Sequence, residues 1–493
     1  MHDAKLYPSP ICIDPHLRRD VAGHDLDLDE MYNCTLSILS PFCPFVRTTV
    51  VLPPIKMNSS TRRASLSDFT AYIITYNCAR ELPSTTHLSN SLLSASDVAL
   101  PPDLIVLCLQ EIAPIGYSFL GGSYLAPYFS RLSNIVQDAV AKRYKPGVEY
   151  STLLARNVGM TGLMVFTKSD FKDSIKWIET AGVGVGVWGM GNKGAVGARL
   201  GLENRKGDEV PVTFVSAHLA PAEGQWERRN EDWRSICEGL VFTREKVITG
   251  HKGSPETQPL LAEATQHIGE ESRDQGLFDP YSHVFFAGDL NYRTSDLSPG
   301  EDDHQTWPHT DNATMIRELF ARDQLVRELN SKNTLHLLAE HPINFPPTYK
   351  YSTAARQQAE KYNGLEAKPN PEHQIQPWAK HRVPSWCDRI LYLASSPPSV
   401  RGYNALPIQP TSDHRPVSLH FGIPLQNGVP RAVKAPFPVR RDWRARRAAA
   451  RRYEFLVGIA SYLALTYEGE ALLAGTVIGI VGGYIALHAL LAN

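Results

Sequence analysis

A chain of 493 residues has room for two to four domains of ~100–200 residues, or for one large α/β body with appendages. Apolar residues make up 43% and charged residues 20%, which excludes a wholly disordered or collagen-like chain. The 50 Lys/Arg against 51 Asp/Glu exclude a broadly basic nucleic-acid binder, although residues 431–493 hold nine Lys/Arg against four Asp/Glu and leave 41 against 47 in the rest.

Residues 1–68 are rich in Pro, Ser and Asp without a sustained period, and read as an irregular leader with one strand at 48–52. Asp and Pro interrupt any apolar stretch near residue 1, so no signal peptide is predicted and the body is expected in the cytosol. From residue 69 short apolar runs follow one another: 71–76 (AYIITY), 104–109 (LIVLCL), 163–167, 195–200, 212–217, 283–287, 389–393 and 417–421. Their length is that of buried strands. Helical periods lie between them at 128–144, 226–247 and 312–328. Many short strands with a few helices predict two packed sheets flanked by helices in one domain at 69–424. Stretches 250–276, 295–311 and 353–380 are polar and read as surface insertions, of the kind that often surround an active site.

Residues 425–452 read as a basic linker carrying Arg440, Arg441, Arg444, Arg446, Arg447, Arg451 and Arg452. Residues 453–493 read as an apolar membrane-anchor tail. Segment 455–467, about 20 Å as a helix, is too short to span and is expected along the interface beside those arginines; 471–493, about 34 Å, is long enough to cross. The arginines precede the span, which places the body on the cytosolic side. Gly475, Gly479 and Gly483 repeat every four residues on one face, so a tail-mediated homodimer is open to the chain. The seven cysteines (Cys12, Cys34, Cys43, Cys78, Cys108, Cys237, Cys387) contain no C-x-x-C pair and read as free thiols in a reducing compartment.

The polar residues of interest stand at the ends of the apolar runs. In 287–293 (AGDLNYR), Asp289 and Asn291 would share one strand face, where a carboxylate could take a proton from water while an amide holds an oxygen of the electrophile. In 411–417 (TSDHRPV), Asp413 and His414 are adjacent. In 108–112 (CLQEI), Glu111 offers the single carboxylate that, with substrate phosphate oxygens, commonly holds Mg2+. The segment 189–197 (GMGNKGAVG) brings glycines and Lys193 together without a Walker loop. His218 ends another run, and 345–351 (FPPTYKY) with 383–391 (VPSWCDRIL) supplies Lys350, Asp388 and Arg389. Each motif alone is also compatible with a turn or a solvated strand end.

Taken together, GDLNYR, PSWCDRIL and SDHRPV in this order resemble the inositol polyphosphate 5-phosphatases of the exonuclease–endonuclease–phosphatase superfamily, over residues 71–421. Two departures are Tyr76, where that family usually has Trp, and the long stretch between Tyr351 and Val383. The resemblance implies a four-layer α/β sandwich of two mostly antiparallel sheets and Mg2+-dependent hydrolysis of a phosphoinositide 5-phosphate. It implies that Glu111 binds Mg2+ with Asn77 beside it, and that Asp289 orients and deprotonates water. Asn291, His218 and His414 would hold phosphoryl oxygens, Asp388 would orient His414, and Asp413 would complete the acidic cluster. Asn192, Lys193, Tyr349, Lys350 and Arg389 would contact substrate, several of them through its 4-phosphate. Phosphatidylinositol 4,5-bisphosphate is the expected substrate, and the tail is similar to that of fungal members anchored in the endoplasmic reticulum. Alternatives are action on soluble inositol polyphosphates, a nuclease of the same superfamily and a non-catalytic membrane scaffold. The acidic body and the TYKY and WCDRIL motifs oppose the nuclease; the full set of site residues opposes the scaffold. A separate motif, Arg62-Arg63-Ala64-Ser65, resembles a basophilic kinase site, with Ser65 as acceptor.

Overall fold

The computed structural model describes residues 68–94, 99–204, 206–244, 275–309, 312–364, 376–425 and 434–492, all within the unit Arg62–Asn493. The leader with its expected strand and Ser65, and nearly all of insertion 250–276, lie outside them.

The strands are β1 (Asp68–Asn77), β2 (Leu104–Gln110), β3 (Tyr150–Val158), β4 (Thr161–Lys168), β5 (Ile175–Gly184), β6 (Gly194–Glu203), β7 (Glu209–His218), β8 (Thr243–Arg244), β9 (His283–Asp289), β10 (Leu338–Glu340), β11 (Asp388–Leu393), β12 (Ser399–Ala405) and β13 (Val417–Pro424). The α-helices are α1 (Thr85–Ser91), α2 (Ile115–Leu120), α3 (Ala126–Arg143), α4 (Trp226–Gly239), α5 (Ala313–Phe320), α6 (Gln324–Asn330), α7 (Thr353–Glu360), α8 (Trp443–Leu465) and α9 (Tyr467–Leu491). One sheet has the order β12-β13-β1-β2-β4-β3, the other β10-β11-β9-β7-β6-β5-β8. The pairs β1–β2 and β7–β9 are parallel and the others antiparallel. This is the expected pair of mostly antiparallel sheets flanked by helices.

The layers follow from residues alternating across buried strands. On β1, Ala71 and Ile73 face the other sheet, while Tyr72 and Ile74 face outward. The inner face packs against Val212, Phe214, Phe285 and Ala287 of the second sheet, and the Phe285 and Phe421 rings stack across the sandwich at 4.1 Å. Truncating such a ring to Ala costs roughly 3–5 kcal/mol. Outside, Leu132, Ile135, Val136 and Ala139 of α3 cover β1 and β2; Trp233 and Ile236 of α4 cover β7 and β9. At the site end Gln110 of β2 donates to Ser216 Oγ of β7 (3.2 Å), tying the sheets together through a fully buried polar contact.

Three expected helices or segments differ. The period at 312–328 is two helices, because Asp323 stops the first and caps the second by accepting from Val326 N–H at 3.0 Å. The period at 226–247 ends at Gly239 and gives way to β8. The largest correction is in the tail. The boundary expected at 452/453 falls inside α8, one 23-residue helix carrying Arg444, Arg446, Arg447, Arg451 and Arg452 as well as 455–465. Upstream, Arg440 pairs with Glu238 (3.0 Å) and Phe437 lies against Arg234, so these residues follow the domain surface. α8 docks on α2: a Cβ on Gly116 would lie 2.9 Å from Tyr462 N, and Gly458 packs on Phe119 and Leu120. Beyond it α9 is 25 residues long and exposed, and is long and apolar enough to cross a membrane.

Candidate active site

Strand ends from both sheets meet at one edge of the sandwich. His218 ends β7 and Asp289 ends β9, directly paired in the parallel register; Asp388 begins β11, paired with Asp289 from the other side. From the opposite sheet come Asn77 at the end of β1, Glu111 just past β2, and His414 shortly before β13. Asn77 Nδ2 donates to Asp289 Oδ2 at 3.0 Å, closing the gap between the sheets.

Asp289 is the hub. Its Oδ2 also lies 3.2 Å from His218 Nε2 and 3.8 Å from His414 Nε2, and its Oδ1 accepts from Asn291 N–H at 3.1 Å. Burial by itself would raise this carboxyl; the charges of His414 and Lys193 and the hydrogen bond from His218 outweigh it and hold Asp289 far below the ordinary carboxylate range. Asn291 does not continue the strand as its spacing predicts. It sits at φ +57°, and its side chain returns to the site through the bond from Asn291 Nδ2 to Leu219 O (3.1 Å) and a contact from Arg293 to its Oδ1. One Nδ2 hydrogen remains to donate.

His414 Nδ1 is 2.9 Å from Asp388 Oδ2, which also accepts from Thr348 Oγ1 at 2.7 Å. Burial works against the charge of either partner, but attraction to Asp388 and Asp289 prevails at His414 and pushes it up to about 9. His218 goes the other way: burial and the adjacent Lys193 ammonium lower it, so it is neutral at neutral pH. The Tyr349 ring lies 4.5 Å from that of His414, with the Arg293 guanidinium 4.4 Å from the Tyr349 ring centroid.

Glu111 stands at φ +47°, partly exposed, with Arg80 at 3.1 Å and Lys193 at 3.9 Å. Its charged hard oxygens, beside Asn77 Oδ1, which accepts one backbone bond from Ala79 and keeps a lone pair, fit a divalent cation. Asp289, Asp388 and His414 also place ligand atoms within 4.8 Å of one another. There, however, a protonated imidazole already offsets one of the two carboxylate charges, and a metal would face its positive charge. The donor chemistry therefore favours the Glu111 side.

At the rim, Lys350 Nζ pairs with Asp413 Oδ2 at 2.5 Å, both half-buried. Burial opposes the Asp413 charge, but His414 and Lys350 hold its carboxyl below the ordinary value. Lys193 lies beside His218, while Asn192 Oδ1 is buried without a hydrogen-bond partner. Arg389 is a correction. Its side chain is 0% exposed, with Nη1 on Asp323 (3.0 Å) and Nε on Glu340 (2.8 Å), so its donors serve the fold and none reaches a substrate. The sequence reading assigned no role to Arg80, Thr348 or Arg293. Thr348 and Arg293 lie inside the TYKY and GDLNYR motifs, where their donors were the available signal; Arg80 carries none.

The model of endonuclease/exonuclease/phosphatase family 2 matches residues 74–420. Type II inositol 1,4,5-trisphosphate 5-phosphatase of Mus musculus is 28% identical over 58% of this chain and 24% of its own length. Polyphosphatidylinositol phosphatase INP53 of Saccharomyces cerevisiae is 30% identical over 64% of this chain and 23% of its own. The chain thus matches about a quarter of the length of these relatives. A crystal structure of the inositol polyphosphate 5-phosphatase domain of synaptojanin, in complex with inositol (1,4)-bisphosphate and calcium ion, covers 83% of this chain and 100% of that one, at 22% identity and a TM-score of 0.53. It shares the fold. With two sheets delivering this set of polar residues to one edge, the chain belongs to endonuclease/exonuclease/phosphatase family 2, and its curated relatives are inositol polyphosphate 5-phosphatases.

Proposed function

We propose that the chain hydrolyses the 5-phosphate of phosphatidylinositol 4,5-bisphosphate, giving phosphatidylinositol 4-phosphate at a membrane surface. The observation that carries this reading is the meeting of Asn77, Glu111, His218, Asp289, Asn291, Asp388 and His414 at one edge, with Lys193 and Lys350 beside them. A multiply phosphorylated headgroup needs several fixed cationic donors next to an acidic pocket.

Glu111 with Asn77 would hold Mg2+, which when bound offsets charge on the phosphoryl oxygens. Asp289 aligns the attacking water. Its strongly depressed pKa makes it a better hydrogen-bond acceptor than a strong base, so orientation is its larger contribution. Asn291 Nδ2 and the charged His414 donate to phosphoryl oxygens, and Asp388 keeps His414 protonated and turned toward Asp289. His218, between Asp289 and Lys193, would lie against the phosphoryl oxygens without adding charge. Such a site works by positioning and charge complementarity, with no covalent enzyme intermediate. Lys193, Asn192, Tyr349 and Lys350 would bind the rest of the headgroup, with Lys350 and Lys193 nearest the 4-phosphate.

The apolar α9 supports a tail anchor with the body on the cytosolic side, set by the arginines ahead of it. The resemblance to tail-anchored fungal members makes the endoplasmic reticulum the membrane to examine first. Gly475, Gly479 and Gly483 meet open space and are where a second tail would pack.

The test is phosphate release from a panel of inositol lipids, their soluble headgroups and DNA, with Mg2+ and with chelator. Release from the 4,5-bisphosphate lipid above the other substrates, abolished by chelator, is expected. Release from DNA alone would replace the reading with a nuclease, and release from soluble headgroups alone would remove the lipid.

A further inference from the structure

Glu454 belongs to α8, far along the chain from every residue of the site, yet it is only 6% exposed. Its Oε1 accepts from the backbone N–H of Gly191 at 2.7 Å. Its Oε2 accepts from Arg451 Nη1 at 2.9 Å, and Arg451 also donates to the carbonyls of Phe119 and Leu120. A buried carboxylate is tolerated only when paired and hydrogen-bonded, and both conditions are met by this docking.

Gly191 immediately precedes Asn192 and Lys193. While Glu454 holds its N–H, its carbonyl accepts from Met160 N–H at 2.9 Å, so the peptide is gripped from both sides. The approach is close: a Cβ on Gly159 would lie 2.4 Å from Gly191 O. The rest of the turn is closed by its own backbone, with Gly186 N–H to Met190 O (3.0 Å) and Val185 N–H to Lys193 O (2.8 Å). α8 covers the turn twice more: Tyr453 packs on Trp188 with ring centroids at 5.2 Å, and Ala450 faces Gly189. At its other end α8 meets α9 through a crossing so tight that a Cβ on Gly469 would lie 2.0 Å from Tyr462 O, and Tyr117 donates to Glu468 at 3.0 Å.

We propose that Glu454 is a positioning residue, which through Gly191 sets Asn192 and Lys193 at the substrate and so ties the headgroup-contacting turn to the helix that leads into the apolar α9. This rests on the phosphatase reading of the site. Asp289, Asp388 and His414 are placed by other elements, so their positions do not hang on this turn, although Lys193 contributes to the charge around Asp289. Loosening the turn therefore weakens substrate binding more than it alters the chemical step, which is a rise in KM larger than any fall in kcat. Loss of general stability does the reverse, lowering the active fraction and hence kcat.

The test uses the full chain in detergent micelles with a soluble inositol phosphate bearing both 4- and 5-phosphates, so that membrane partition does not enter. Glu454→Ala is expected to raise KM about tenfold, the factor that corresponds to 1.4 kcal/mol, with kcat little changed. Glu454→Gln keeps the acceptor for Gly191 and should fall between the two. Amide hydrogen exchange at 186–193 should be faster in Glu454→Ala than in the wild type. A fall in kcat at unchanged KM, or exchange at 186–193 that does not respond, overturns the proposal. If Glu454→Ala does not fold, Glu454→Gln decides: KM and exchange both equal to the wild type overturn it. A wild-type chain that releases no phosphate sinks the phosphatase reading, and the exchange measurement still decides whether Glu454 holds the turn.

Discussion

His414 sits between Asp388 and Asp289 and keeps its proton to about 9, against an ordinary 6.5. Activity that needs the imidazolium should hold through neutral pH and fall as pH rises through about 9. The stabilisation has the same sign: the raised pKa contributes fully below 6.5 and is lost as pH climbs through about 9. Asp388→Asn removes the nearer carboxylate and should move the alkaline limb of the pH–rate profile toward neutral; an unmoved limb would show that another group governs it. Glu111→Gln keeps shape and removes the charge that a divalent cation requires, so turnover should be lost at any Mg2+ concentration while thermal unfolding is little changed. More than roughly a tenth of wild-type activity at high Mg2+ would move the metal elsewhere. Lys350→Ala should cost on the order of 1.5–3 kcal/mol in kcat/KM on substrates with a 4-phosphate and much less on those without. Equal losses would make Lys350 only a partner for Asp413.

Among the elements, the eight apolar runs all fall within strands, because strands buried on both faces announce themselves as unbroken Val/Ile/Leu/Phe segments. β3, β5 and β12 were not legible: Tyr150–Val158 and Ser399–Ala405 are half-buried and mix polar with apolar residues. The motifs of the candidate site were legible because their polar residues interrupt such runs at strand ends. What the sequence could not reveal is which polar residues face inward. Arg389 shares its motif with Asp388, but the pleat sends the two side chains to opposite faces. Asp388 reaches His414, whereas Arg389 reaches Asp323 and Glu340, joining β11 to α6 and β10. Arg389→Met should therefore destabilise the fold by roughly 3–5 kcal/mol, since two carboxylates lose their buried partner. Denaturant unfolding checks this. A variant of unchanged stability with a selective loss on 4-phosphate substrates would restore Arg389 to the site.

At the scale of the whole molecule, the tail divides at Thr466 and not at the end of the arginine-rich stretch. A chain ending after Pro438 loses α8 along with α9 and uncovers Gly116, Phe119 and the turn at Gly191. A chain ending after Thr466 keeps α8. If α9 is the anchor proposed above, that chain should be soluble, hydrolyse soluble headgroups at the full-length rate, and lose most of its action on lipid in vesicles, because an anchor supplies local concentration. Sedimentation with vesicles and phosphate release measured together check this; a Thr466-terminated chain that still pellets with membranes assigns the anchor elsewhere.

The order of strands in the first sheet has a consequence for how the chain is made. β1, the first strand among the described residues, lies between β2 and β13, and β13 is made about 340 residues later. Until then one edge of β1 has no partner, and unpaired apolar edges recruit other chains. Asn77 and His414 stand on either side of that late-closing seam, so turnover should be among the last properties regained in refolding, after far-ultraviolet circular dichroism has recovered. Nascent chains from which residues 417–424 have not emerged should be inactive and bind chaperones more than chains from which they have.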